Sequence, residues 1–189
     1  MTEEIFYPSS KNDWRNWLKK YHIEKDAIWL IINKKNHETP NLTWSDSVDE
    51  ALCFGWIDGK KLSNDNKSYK QYFCKRKANS TWSKVNKEKI KLLKEQNLLH
   101  AAGQAAISIA KQNGMWTFLD EIDDLIIPKD LEFALSTNKK AKTFFKQLSP
   151  SQKKQILYWI KSAKQENMRV KRISEIISSG NQERLPINF

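Results

Sequence analysis

Apolar and polar positions alternate along this chain with two distinct periods, and the period changes tell where each element begins. After Ser10, Trp14, Trp17, Leu18 and Tyr21 recur at helical spacing, which predicts a capped helix over 10–21. Residues 27–32 are apolar without alternation, the pattern of a strand buried on both faces. A polar loop with Pro40 follows over 36–41. Thr43 and Asp46 have capping-box spacing, and Trp44, Val48, Ala51, Leu52 and Gly55 then share one helical face. Gly55 is the expected stop, since glycine tolerates the left-handed conformation that ends helices. Residues 56–62 and 69–75 read as two strands of an antiparallel hairpin turned by Ser63-Asn64-Asp65-Asn66. The two-residue period puts Trp56, Asp58 and Lys60 on one face.

Beyond Ser80 the pattern is helical throughout. Ser83 caps a Lys-rich helix with Val85, Leu92 and Leu93 inward, and 101–111 forms another. Residues 120–124 read as an acidic connector. Pro128 starts a short helix with Leu131 and Leu135 inward, and 139–148 forms the next around Phe144 and Phe145. Ser149-Pro150-Ser151-Gln152 combines a capping serine, proline at the first helical position and a glutamine that completes the box. Ile156, Trp159, Ile160 and Ala163 are its expected buried stripe, and Met168, Ile173, Ile176 and Ile177 carry the pattern on to Gly180. Strands early and helices late predict an α+β class: a small antiparallel or mixed sheet with packed helices, followed by a helical C-terminal module. The expected division is an α+β domain over 1–115, a helical module over 116–180 that could share its core, and a loose tail over 181–189.

Length and composition narrow the class. The chain has 189 residues, 39% of them hydrophobic, and eight tryptophans, enough for a sizeable core. The longest apolar run, 27–32, is far too short to span a bilayer, and the acidic start has no apolar signal core behind it. Membrane insertion is therefore not expected. Cys53 and Cys74 have neither metal nor redox spacing and read as free thiols. The formal net charge of +11 is uneven: −2 over 1–66, +9 over 67–113 and +4 over 114–189. The excess follows directly on the glycine–tryptophan segment, where a basic field favours an anionic partner.

Residues 51–86 concentrate the candidate chemistry. In Gly55-Trp56-Ile57-Asp58-Gly59 the glycines admit close backbone approach, Trp56 offers a flat wall and Asp58 an acceptor. Equally, Gly55 can merely end a helix, Gly59 mark a bulge and Asp58 pair with a lysine. In Lys75-Arg76-Lys77 and Ser80-Thr81-Trp82-Ser83, basic side chains meet the start of a helix, whose free N–H groups suit an anion. An ordinary capped helix beside solvated lysines explains that stretch as well. The candidate ligand-binding residues are Trp56, Asp58, Arg76, Ser80, Trp82 and Ser83. No catalytic residue is assigned: His22, His37 and His100 are far apart, and no zinc spacing, nucleophile elbow or glycine-rich phosphate loop occurs. Cys53 lies on the inward side of its helix, a packing position, and no cofactor is expected. Whether the chain is an enzyme is left open. Tyr69, Tyr72, Phe73 and Trp82 among basic residues make single-stranded nucleic acid the alternative partner, although no nucleic-acid module motif accompanies them.

The strings Glu50-Ala51-Leu52-Cys53-Phe54-Gly55-Trp56-Ile57-Asp58-Gly59, Lys75-Arg76-Lys77 and Trp82-Ser83-Lys84-Val85-Asn86 resemble the YdeI/OmpD-associated, or bacteriocin-protection, family. So do Leu148-Ser149-Pro150-Ser151-Gln152-Lys153-Lys154, Trp159-Ile160-Lys161-Ser162-Ala163-Lys164 and Arg169, Lys171, Arg172 and Ile173, for a resemblance spanning about 14–177. The family pattern has a proline and an arginine at the basic strand end; residues 74–79 here lack the proline, so the bend there forms differently. The resemblance implies a bacterial cytoplasmic protein linked to tolerance of bacteriocins or cationic antimicrobial peptides, with no catalytic mechanism and no cofactor. Its C-terminal helices are a candidate surface for a protein partner. A chain of charge +11 repels cationic peptides at long range, so protection is expected to be indirect, through a small anionic ligand.

Overall fold

The computed structural model of the chain describes residues 4–186, which fall into two compact units divided between 117 and 118. The first is α+β. Its elements run β1 (Ile5–Phe6), α1 (Lys11–Tyr21), β2 (Ala27–Asn33), α2 (Trp44–Cys53), β3 (Trp56–Ser63), β4 (Ser68–Lys75), α3 (Lys84–Glu95) and α4 (Ala101–Gln112). The sheet is mixed, in the order β1-β2-β4-β3: β1 runs parallel to β2, and the other pairs are antiparallel.

The hairpin predicted from the turn residues is present, but it is not regular. Asp58 pairs with Phe73 and Lys61 with Gln71, so β3 carries one extra residue around Gly59 and Lys60. That bulge breaks the alternation before Lys60, which is exposed rather than aligned with Trp56 and Asp58. The buried amide of Gln71 donates to the Gly59 carbonyl at 3.0 Å and so satisfies the irregular backbone.

Helix α2 sits at the centre of the unit, with Val48, Ala51, Leu52 and Cys53 in a core shared with Trp14, Leu18, Ile28, Leu30, Phe73 and Trp56. Its Glu50 is buried but paired, 2.5 Å from Arg15. Trp44, at the first turn of α2, is not part of the buried face: its indole lies half-exposed and donates to Asp58 at 3.1 Å. Helix α3 also differs from expectation. Ile90 and Leu93 are its buried residues, while Val85 and Leu92 are 55% and 56% exposed. Leu92 is one residue from Leu93, and at 3.6 residues per turn neighbours face different sides.

The second unit is helical: α5 (Asp120–Asp123), α6 (Lys129–Ser136), α7 (Lys139–Gln147), α8 (Pro150–Lys161) and α9 (Glu166–Asn181). The stretch read as an acidic connector forms a short helix, and its acids reach α8: Lys154 to Asp123 at 2.8 Å and Lys161 to Glu121 at 2.7 Å. The capping box at Ser149 and Gln152 is complete. The core holds Leu131, Leu135, Phe145, Ile156, Ile160 and Ile176. Leu157 joins Ile156 and Ile160 on the buried stripe of α8, Trp159 packs half-buried against the same core, Ala163 lies past the end of the helix, and Met168 of α9 faces outward. In the stretch read as a tail, Leu185 packs on this core and Pro186 is buried; residues 187–189 lie outside the described residues.

Candidate functional site

The site begins with two glycines. Gly55 has φ +73°, a left-handed conformation that ends α2 and lets the chain enter β3 at once. Gly103 lets α4 press against the end of α2: a Cβ there would lie 2.3 Å from the Cys53 carbonyl oxygen and 2.8 Å from its carbon. The His100 amide donates to the same Cys53 carbonyl at 3.0 Å, anchoring the start of α4. These contacts set α4 across the Gly55–Trp56 turn.

Between them is a cavity of about 350 Å³. One wall is Phe54, Gly55 and Trp56; the second is Lys75, Arg76, Lys77 and Trp82; α4 supplies the third with Ala102, Ala105, Ala106 and Ile109, and His22 and Ile23 close one side. Among the described residues no acidic side chain lines it. The two segments are tied together by their backbones, with Trp56 opposite Lys75 and the Arg76 amide donating to the Gly55 carbonyl at 3.0 Å.

Arg76 dominates the chemistry. Its guanidinium lies flat over Trp82, 3.6 Å from the ring centre, and Nη1 donates to the Thr81 carbonyl at 3.0 Å. Its Nε and Nη2 are shut off from solvent and have no acceptor from the protein. With Trp56 Nε1 they are the only buried side-chain nitrogen or oxygen atoms among the described residues that lack a hydrogen-bond partner. All three are donors, and both residues line the cavity. Trp56 also meets Trp17 edge to face at 5.8 Å, which gives its N–H a π surface nearby, so the Arg76 pair is the sharper signal. Burial pushes the Arg76 pKa down to about 10, against the opposing pull of Asp58 and Cys74.

The other groups have defined tasks. Trp82 is buried and packs on Trp116 at 5.0 Å. Lys75 is held by the Ile23 carbonyl at 2.7 Å and Asp26 at 3.0 Å. Asp58 accepts from Trp44 and does not line the cavity. Ser80 closes a tight turn by accepting from the Lys77 amide, and Ser83 caps α3 by accepting from Asn86; neither lines the cavity. Of the six residues singled out in the sequence, Trp56, Arg76 and Trp82 meet here, while Asp58, Ser80 and Ser83 face other partners. His22 and the α4 wall carry no motif, and only the run of small residues over 101–110 hints at close packing. His22 Nδ1 lies 2.8 Å from the Leu18 carbonyl, and its ring meets His100 edge to face at 4.9 Å. Burial, then the neighbouring His22 and Arg15, push the His100 pKa down. Burial raises the thiol pKa of Cys53 and Cys74, and both are free cysteines. Among the described residues no group of three or more His, Cys, Asp or Glu is placed to hold a metal ion, and no helix is long and apolar enough to cross a membrane.

Comparison with known proteins divides the chain in a similar way. Residues 124–181 match the family described as bacteriocin-protection, YdeI or OmpD-associated, a narrower stretch than the 14–177 over which the resemblance was read. That match suggests a bacteriocin-protection-like protein. Residues 6–106, which contain β2 to β4, the glycine–tryptophan turn and Arg76, match a different family, a domain of unknown function, DUF8412. No curated protein and no solved structure matches the chain at a significant level. Over more than half its length, and through most of the residues that line the cavity, the chain belongs to the DUF8412 family, with a match to the bacteriocin-protection, YdeI or OmpD-associated family following at 124–181.

Proposed function

We propose that the N-terminal unit binds a small anionic ligand through Arg76, and that any protective role is reached indirectly, through that ligand, in the bacterial cytoplasm. The observation that carries this reading is Arg76, a residue of the cavity lining two of whose N–H groups have no acceptor in the protein and almost no open surface. Leaving a buried donor unsatisfied costs about 1–3 kcal/mol, and more on a charged group. An anion that draws this edge of the guanidinium toward the cavity would supply the acceptor and offset the desolvation that depresses the Arg76 pKa. The absence of lining carboxylates among the described residues and the cationic rim of Lys75 and Lys77 favour the same charge. The volume is at the small end of the range for ligand pockets, roughly 300–1,000 Å³, which favours a compact metabolite over a polymer.

A thermal-shift panel tests this with inorganic phosphate, nucleotides, sugar acids and short carboxylic acids. A ligand at a hundred times its Kd stabilises the native state by about 2.7 kcal/mol, a shift of several degrees. Arg76→Met keeps an apolar side chain over Trp82 but removes the donors, and should abolish the shift. A full shift in that variant would place the binding elsewhere; no shift with any anion would remove the reading.

A further inference from the structure

Taking the Arg76 site as the anion-binding site just proposed, we infer that its ligand is a monocarboxylate carried on an apolar body. Arg76 has already committed Nη1 to Thr81, and its plane is fixed by the face of Trp82. The remaining donors, Nε and Nη2, lie on one edge of the guanidinium. Turned toward the cavity, that edge would offer two parallel N–H bonds in one plane, the arrangement that matches the two oxygens of a carboxylate.

Charge balance points the same way. Of the three cations in the lining, Lys75 is paired with Asp26 and Lys77 is exposed, which leaves the half-buried Arg76 to balance one negative charge inside. A phosphate dianion brings a second charge and a third oxygen into a space whose other surfaces are largely carbon, and desolvating charge without a partner is costly. The lining also includes Phe54, Ala102, Ala106 and Ile109, with Ala105 exposed and His22 adding a polar ring. The apolar members hold a hydrocarbon chain or ring and offer it no polar side-chain group. The chemistry that fits is an aliphatic or aromatic acid: head on the Arg76 edge, body along α4.

Isothermal titration of the full chain at neutral pH tests this with acetate, butyrate, hexanoate, hexanamide and phenyl phosphate. Affinity should rise from acetate to hexanoate by roughly fourfold for each methylene buried. Hexanamide, the same body without charge, should bind at least about tenfold more weakly than hexanoate. Arg76→Lys retains the charge but not the two-pronged edge, and should weaken hexanoate by about tenfold or more. Ala105→Phe, at an exposed position that leaves the core alone, should block the cavity and give a similar loss. If phenyl phosphate binds in an Arg76-dependent way and hexanoate does not, the carboxylate assignment is overturned while anion binding stands. Affinity independent of chain length overturns the apolar body. If no anion binds in an Arg76-dependent way, the underlying reading falls too.

Discussion

Glycine identity matters at Gly103 for a reason that differs from Gly114. At Gly103 the obstacle is backbone: any Cβ would collide with Cys53 and Leu52 carbonyl groups, which cannot rotate away. Gly103→Ala should therefore destabilise the N-terminal unit by about 3 kcal/mol, at the upper end of typical overpacking costs, and push α4 off the cavity. Gly114 has φ +80° and nothing within 4 Å, so Gly114→Ala meets only the left-handed backbone penalty, about 1 kcal/mol. Chemical denaturation of both variants checks the order; equal losses would mean that α4 does not pack as closely as the geometry has it. In the second unit, Arg169 grips Asp130 with two hydrogen bonds, 2.6 and 2.9 Å, and holds its carboxyl below the usual aspartate range. A carboxyl with a lowered folded pKa stabilises the fold above its unfolded value, near 4, and that contribution disappears as pH falls through the folded value. Asp130 is 40% exposed, so solvent screening limits the effect to about 1 kcal/mol or less. Asp130→Asn should lower Tm slightly at pH 7 and match the parent protein near pH 2.

Elements were legible where a local rule fixes them. The caps at Ser10, Thr43, Ser83 and Ser149, the strand pair around Ser63 to Asn66 and the stop at Gly55 all follow from side chains acting on backbone within four residues of themselves. Which face of a helix is buried is less local. Helix α3 has apolar residues at 85, 90, 92 and 93, and the sequence alone offers more than one stripe; the neighbour α2 selects Ile90 and Leu93. Leu93→Ala should cost about 2–5 kcal/mol, whereas Leu92→Glu should stay within about 0.5 kcal/mol. Urea melts of the two variants separate the faces, and a large loss from Leu92→Glu would reverse the assignment. The bulge in β3 was foreshadowed only by Gly59, because the extra residue shows itself in pairing rather than in composition.

For the whole molecule, charge is the property that bears on function. With a formal net charge of +11, the chain attracts anions and opposes polycations at any distance where screening is weak. A cationic amphipathic peptide should therefore show no salt-sensitive binding to the purified protein between low and physiological salt, by fluorescence anisotropy. Tight binding that weakens with salt would make direct sequestration the better account of protection. Each unit also has its own apolar core, Trp14 to Ala110 in one and Ile122 to Ile176 in the other, and the cavity is built wholly from the first. The proposed ligand site thus lies mostly in the part that matches DUF8412, and the bacteriocin-protection match lies in the part that does not line it.

What the sequence determined unaided was the class of the fold, the order of its strands and helices along the chain apart from β1 and the short α5, and the crowding of glycine, tryptophan and positive charge between 51 and 86. Those are consequences of periodicity, capping and turn chemistry, which act over a few residues. The meeting of Gly55–Trp56 with Arg76 could be anticipated, because a hairpin returns its far end to its start. The third wall could not. Helix α4 reaches the cavity because Gly103 admits the α2 carbonyls, a contact across 50 residues of chain that no local pattern encodes. With Trp82 beneath its guanidinium, that contact leaves Arg76 half-buried beside apolar carbon, with two of its N–H groups unmet, rather than fully in water as one more surface cation.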